Sequence, residues 1–388
     1  MTSPAISHHT LVRERIATIG VFLANGFGIG AWAVEVPRIK ESLALSDASL
    51  GIALFCFALG AIVAMPLAGQ LAPRVGSGRA TALLGAAFAI ALPLPALAPG
   101  MLTLCAMLFA LGASNGALDV SMNGHASAIE TQWRGPIMSS FHAAWSAGGL
   151  LGAATGAMLQ KGGIGVVGGL LAPDLPIATL IVVAALLALR DIGPRTAAAS
   201  SGFAWPDGGV MKLAMLAFLC MLVEGAIADW SAVYLRSTLN QEASVAAIGY
   251  SAFAFSMAAC RVAGDASVRR FGSSRVVALG GLIALAGLAL VLSLPTVWTA
   301  CVGFAMVGVG LANIVPVIFS AAGRSTATPA IGVSMAATAG YAGFLVGPPL
   351  IGFGAGLLGL RSALCVLVMA TLIVSLLGGK AVRNARLT

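Results

Sequence analysis

The chain is poor in charge. Only 9% of its 388 residues are Asp, Glu, Lys or Arg, and 59% are hydrophobic, whereas soluble domains carry roughly 25% charged residues. This excludes a water-facing surface, and with it a soluble enzyme, a disordered chain and a nucleic-acid binder, despite a formal net charge of +8. Cysteine is scarce too. Cys56, Cys105, Cys220, Cys260, Cys301 and Cys365 fall singly in six different apolar runs, with no C-x-x-C spacing; they read as small buried hydrophobes, and no metal or cofactor is expected. The phosphate-cradling pattern G-x-x-x-x-G-K-[ST] is missing, and no long extramembrane segment is left to hold a nucleotide. An ion gradient is then the energy source that fits. No nucleophile–base pair occurs at a recognisable spacing, so an enzyme is not expected.

What the chain has is length in apolar runs. A helix crossing a hydrocarbon core of ~30 Å needs about 20 residues, and the sequence divides into twelve such runs, near 15–37, 48–72, 79–98, 101–127, 137–160, 171–190, 210–236, 244–263, 274–294, 296–321, 329–355 and 360–380. Only Arg38, Lys40, Lys161, Arg236 and Arg361 fall in one set of connections. The other sixteen cations, among them Arg190, Arg195, Arg261 and Arg386, fall in the alternate set. Positive loops stay cytoplasmic, so both termini are expected inside. Arg13-Glu14-Arg15 leads straight into the first run with no small-residue cleavage site, so no cleaved signal is expected.

The two halves repeat. Arg74-Val75-Gly76-Ser77-Gly78-Arg79 recurs as Arg270-Phe271-Gly272-Ser273-Ser274-Arg275, and Gly112 as Gly308, at an offset of 196 residues; Trp32 and Arg38 match Trp230 and Arg236 at 198, and Ser139, Gly148 and Gly152 match Ser334, Gly343 and Gly347 at 195. Such a near-constant offset implies duplication of a six-helix unit. Because six is even, both copies enter the membrane with one orientation and are related by an axis along its normal. The expected organisation is a six-helix bundle over 1–190, a breaker-rich cytoplasmic linker over 191–209 and a second six-helix bundle over 210–388.

Gly69-Gln70-Leu71-Ala72-Pro73-Arg74-Val75-Gly76-Ser77-Gly78-Arg79 resembles the signature loop of the major facilitator superfamily, G-x-L-A-D-R-x-G-R-K. Gly69, Leu71, Ala72, Arg74 and Gly76 match, while Pro73 replaces the aspartate and Ser77 the next arginine. In that family the loop is associated with cytoplasmic gating, which implies gating roles for Gly69, Arg74, Gly76 and Arg79, and for Asp265, Arg270 and Gly272 in the second copy. The loss of the acid at Pro73 puts the first gate in doubt, and Asp265 stands four residues earlier than the signature places its acid. Gly116-Ala117-Leu118-Asp119-Val120-Ser121-Met122-Asn123, Glu224-Gly225 with Asp229-Trp230-Ser231, and Gly340-Tyr341-Ala342-Gly343 with Gly347-Pro348-Pro349 are similar to the fucose-permease-like branch and its inner-membrane members. The resemblance implies an all-α polytopic protein with the major facilitator fold: twelve transmembrane helices in two pseudo-symmetric bundles, multi-pass in a bacterial inner membrane.

A few ionisable groups interrupt the apolar runs. An ion at mid-bilayer costs about 2.5 kcal/mol or more, so each needs a partner, a cavity or a proton. In the fourth run Asn115, Asp119 and Asn123 are spaced four apart and share one helical face; they read either as a functional stripe or as an inter-helix hydrogen-bond network. His142 in the fifth run is expected at similar depth and could relay protons, or simply pack; His125 lies nearer the cytoplasmic end. Glu224 is the deepest acid, with Asp229 about 140° away around the seventh run. Glu35, close to Arg38 and Lys40, reads as an interfacial charge cluster. The resemblance supplies another role, because fucose-permease-like proteins use acids on helices one and four. Asn25 is the deeper polar group of the first run. Trp32, Trp230 and Trp145 offer either stacking surfaces for a solute or packing anchors. Gly148-x-x-x-Gly152-x-x-x-Gly156 and Gly343-x-x-x-Gly347 mark faces for close helix approach.

The expected function is secondary transport of a small polar organic solute, sugar-like or an organic acid, by alternating access. Asp119, Glu224, Glu35 and His142 are the proton-coupling candidates. Asn25, Trp32, Asn115, Asn123, Trp145, Asp229 and Trp230 are the substrate candidates. Proton symport is preferred on the resemblance, proton-coupled efflux of metabolites or drugs is the alternative, and a non-transporting sensor on the same fold is a third class. The expected partners are solute, protons and lipid, with the chain acting as a monomer.

Overall fold

The computed structural model describes residues 8–45, 47–187, 189, 191, 208–241, 243–326 and 328–385. Most of the expected linker (192–207) lies outside them, as do the cations Arg190, Arg195 and Arg386.

The described residues are helical, without a strand. In order they form α1 (His8–Ser42), α2 (Asp47–Val75), α3 (Ser77–Ala91), α4 (Met101–Trp133), α5 (Met138–Lys161), α6 (Val166–Leu187), α7 (Gly208–Val233), α8 (Ala243–Val262), α9 (Gly264–Phe271), α10 (Ser273–Ser293), α11 (Val297–Leu311), α12 (Ile314–Arg324), α13 (Pro329–Leu358), α14 (Leu360–Ala363) and α15 (Cys365–Asn384). Ten stretches among the described residues are long and apolar enough to cross a membrane, one of them joining α11 and α12 and another α14 and α15. The remaining two expected spans fall on α5 and α8, which are 24 and 20 residues long.

The distribution of polarity is that of a protein solvated by lipid. Leu102 and Leu357 are each 84% exposed, whereas Asn25 is 2% and Asn123 0% exposed. Inside hydrocarbon a polar side chain finds partners only among other protein groups, so the polar residues turn inward.

The chain divides into two compact units. The first comprises Met1–Gly135, Phe141–Phe203 and Thr326–Ser334; the second comprises Pro136–Ser140, Ala204–Ser325 and Met335–Thr388. Within the first, α1 and α5 pack almost backbone to backbone. A Cβ at Gly26 would overlap the Trp145 carbonyl, and one at Gly148 or Gly152 would overlap the Leu23 or Phe27 carbonyl. Within the second, Gly343 lies against the Phe218 carbonyl, and a Cβ at Gly347 would come 2.9 Å from the Leu222 carbonyl. The glycine spacings thus set helix approach inside each unit. They also fix how deeply the side chains of α5 reach toward α1.

Candidate functional site

In the first unit, six of the sequence candidates converge on one stripe of α4. At one level Trp145 Nε1 donates to Asn25 Oδ1 at 2.8 Å, and Asn25 Nδ2 donates to Asn115 Oδ1 at 2.9 Å. Three helices are joined by that chain, and the two amides at its centre are buried. Each buried polar group left unmatched would cost about 1–3 kcal/mol, so the chain orients all three side chains. Asn115 Nδ2 makes no hydrogen bond among the described residues and is left as a donor.

Two turns along α4, Asn123 Nδ2 donates to the Asp119 backbone carbonyl at 2.9 Å and to Asp119 Oδ1 at 3.1 Å. Its Oδ1 faces His142 Nε2 at 3.1 Å. An amide oxygen only accepts, so this arrangement places the proton of His142 on Nε2. His142 also meets the Phe22 ring edge-on at 5.7 Å. Asp119 is half-buried, and its Oδ2 makes no hydrogen bond among the described residues. The stripe therefore ends in a free carboxyl oxygen one turn from a free amide donor.

Trp32 is buried on α1, outside this hydrogen-bonded set. Glu35 is elsewhere. It is fully buried near the far end of α1, where Arg38 Nη1 lies 3.1 and 3.0 Å from its two oxygens and Gln160 Nε2 at 3.4 Å from Oε1. Arg38 also donates to the Ile164 carbonyl at 2.8 Å. This is a joint between α1 and the turn after α5.

In the second unit, Glu224 Oε1 on α7 lies 3.7 Å from Arg261 Nη2 on α8. Arg261 is a correction to the sequence reading. It was expected among the loop cations, but it is 6% exposed. The run that holds it continues to residue 263, so its position near the end of α8 resembles that of a loop charge. Asp229 is exposed and unpaired among the described residues; Trp230 packs against Gly352, its Nε1 buried without a partner among the described residues.

The gating candidates form two local structures. In the first unit Gly76 holds φ +101° at the N-terminus of α3, and the Asp191 carboxylate sits where a Cβ would be. Asp191 Oδ1 accepts from the Arg79 backbone N–H at 3.4 Å, and its Oδ2 lies 3.8 Å from Arg79 Nε. An acid from the start of the expected linker thus sits beside the turn whose own signature acid is absent at Pro73. Arg74 is exposed, and Gly69 lies so close to Ser334 that a Cβ would come 2.5 Å from the serine Cβ. In the second unit the equivalent glycine, Gly264, lies against Ser139, and Asp265 accepts the backbone N–H groups of Ser139 at 2.9 Å and Ser140 at 3.2 Å. Gly69 and Gly264 are 195 residues apart, as are Ser139 and Ser334, so the repeat extends to contacts. Gly272 repeats the left-handed turn of Gly76 with φ +81°, and Arg270 is exposed beside the Phe271 ring at 5.5 Å.

Glu14 and His125 form a further buried pair that the sequence pattern does not signal. Glu14 Oε2 lies 3.4 Å from His125 Nε2, both fully buried, with Ser77 Oγ 2.9 Å from His125 Nδ1. Glu14 sits between Arg13 and Arg15, and that flanking made it look like a loop charge. Among the described residues no cluster of three His, Cys, Asp or Glu suits a metal ion.

Long apolar helices, an apolar exterior, a repeated half and inward polar chains define a polytopic helical membrane transporter. Residues 17–337 match the family model described as Major Facilitator Superfamily. The chain belongs to that superfamily, whose members are transporters and not enzymes. It is 36% identical over 361 residues to an uncharacterised MFS-type transporter of Yersinia pestis, covering 92% of this chain and 93% of that one. Among solved structures it is similar to the transporter FucP in the outward conformation, with TM-score 0.76, 15% identity and coverage of 97% and 99%. A second structure, of a variant of the E. coli fucose:proton symporter FucP, superposes with TM-score 0.72 at 16% identity and coverage of 97% and 99%. At that identity the likeness shows the fold.

Proposed function

We propose that the chain is a proton-coupled symporter that takes up a small neutral polyhydroxylated solute, across the bacterial inner membrane, by alternating access between two six-helix bundles. The observation that carries this reading is the α4 stripe. Its upper level offers an amide donor at Asn115, its lower level a carboxyl oxygen at Asp119, and Trp145 supplies an adjacent aromatic surface. Residues four apart on a helix stand about 5–6 Å apart, a span that a sugar ring bridges with two hydroxyls, one accepting and one donating. The six include no Lys or Arg, which favours a neutral solute over an organic acid. The fold shared with a fucose:proton symporter supports the same class.

Asp119 is the proton site in this reading, with Asn123 and His142 as the groups that register its charge. Glu224 is a second acid, held by Arg261. The Gly69·Ser334 and Gly264·Ser139 contacts, with Asp191 and Asp265, act as gating elements that make and break in the cycle. Both termini face the cytoplasm, and the monomer is the working unit.

The test is uptake into proteoliposomes of radiolabelled neutral hexoses and pentoses under an imposed inward proton gradient. Accumulation that collapses with a protonophore supports symport. Outward movement driven by the same gradient would mean efflux by antiport.

A further inference from the structure

The tenth expected span is not one helix. It breaks at Ala312-Asn313, between α11 and α12. The local cause is Pro316, which has no N–H to donate to the carbonyl four residues back, that of Ala312. In this structure the carbonyl is satisfied from outside: Arg261 Nε on α8 donates to Ala312 O at 3.3 Å. The favour is returned one residue along. Asn313 Nδ2 donates to the Cys260 carbonyl at 3.1 Å. Arg261 and its neighbour thus clamp the break at two points, while the same guanidinium reaches Glu224 on α7 at 3.7 Å. Arginine suits this post because its planar fork presents several donors in fixed directions, whereas lysine is a point charge.

We propose that Arg261 is a positioning residue that transmits the charge of Glu224 to the α11–α12 break. With Glu224 ionised, the guanidinium is held between carboxylate and Ala312 O, and the break is fastened. With Glu224 protonated, the guanidinium loses its anionic partner, the clamp loosens, and the segment around Asn313 opens. Among the described residues, the other ionisable groups that interact with Glu224 are Tyr250 on α8 and Cys220 on α7, with Asp229 five residues further along α7. From α13 comes Tyr341, edge-on to Phe344 at 6.1 Å, and the Phe344 ring lies against Gly225. None of these is a cation, so Arg261 alone among them answers to Glu224 as a counter-charge. As a step in a transport cycle the device rests on the proton-coupled reading above; as a property of the fold it can be tested without transport.

The test is amide hydrogen exchange of the peptide spanning 310–320 in the full-length protein in lipid nanodiscs, corrected for intrinsic rates. Glu224→Gln, which mimics the protonated acid, is expected to speed exchange there about tenfold, a local opening rather than global unfolding. Arg261→Lys is expected to do the same, and the double variant no more than either single. In a Pro316→Ala background, where the N–H at 316 can bond Ala312 O, Glu224→Gln should leave exchange unchanged. Unchanged exchange in both single variants, additive effects in the double variant, or an equal response with Pro316→Ala overturns the proposal. If Pro316→Ala does not fold, the non-additivity of the other two variants decides. Parallel sugar uptake separates the two claims. A responsive break without proton-driven uptake would sink the transport reading alone, and proton-driven uptake with a silent break would sink the device alone.

Discussion

Asn123 turns its amide oxygen to His142 Nε2 at 3.1 Å because its amide nitrogen is already committed to Asp119. The two ends of one amide cannot change roles independently, so the charge of Asp119 and the tautomer of His142 are linked through Asn123. Asn123→Leu removes the link and leaves both partners in place. Proton-driven sugar uptake is expected to fall about a hundredfold or more, the size typical of lost proton-transfer groups. Sugar counterflow, which moves no net protons, should persist. Equal loss of both activities would mean that Asn123 serves the fold or the solute rather than the proton.

Asn25 is bonded on both sides, to Trp145 and to Asn115. Asn25→Ala leaves a part-buried indole N–H and a buried amide oxygen unmatched, which should lower unfolding stability by about 1–3 kcal/mol for the buried oxygen and further for the indole. The more telling change is in kinetics: KM for the transported sugar should rise while the maximal rate changes less, because Asn115 and Trp145 lose orientation. Thermal unfolding and initial-rate uptake on the same preparation check both parts.

Glu35 is expected to behave differently from Asp119. Both of its oxygens face Arg38 at the end of α1, and it shares no hydrogen bond with the α4 stripe among the described residues. Glu35→Gln should cost stability, on the order of 1.5–3 kcal/mol for a bond to a charged group, while proton-driven uptake per folded molecule survives. Abolished coupling with normal stability would restore Glu35 as a proton site.

Gly76 and Gly272 share a left-handed turn, with φ +101° and +81°, but not their surroundings. At Gly272 a Cβ meets open space; at Gly76 it meets the Asp191 carboxylate. Gly272→Ala should therefore cost only the backbone strain, about 1–3 kcal/mol, and Gly76→Ala more, by what it takes to displace the Asp191 carboxylate. Asp191→Gly should bring the cost of Gly76→Ala down to that of Gly272→Ala. Thermal unfolding of the four variants (Gly272→Ala, Gly76→Ala, Asp191→Gly and the double Gly76→Ala/Asp191→Gly) against the parent checks the order.

Much of this was legible in the chain, and the rest was not for identifiable reasons. Low charge and twelve apolar runs define the membrane helices, and a near-constant offset of 195 to 198 residues reveals the duplication. The four-residue spacing of Asn115, Asp119 and Asn123 was readable, because a helix fixes it locally. The pairing of Asn25 with Asn115 was not, because it depends on how α1 and α4 meet across 90 residues of chain. Arg261 was counted with the loops because hydropathy cannot distinguish a helix-end cation that faces water from one that reaches Glu224. Asp191 was hidden for the opposite reason: it sits in a polar stretch where one more acid carries no signal, yet it takes the position beside Gly76 that Pro73 leaves without an acid.

If solute and proton move inward together with Asp119 carrying the proton, sugar entry must acidify the lumen. The most direct measurement traps a pH-sensitive dye inside proteoliposomes and adds neutral sugars outside with no imposed gradient. A transported sugar is expected to acidify the lumen with the native chain, and Asp119→Asn to move the sugar by counterflow without acidification. Sugar entry with an unchanged or alkaline lumen in the native chain, or undiminished acidification with Asp119→Asn, would contradict it.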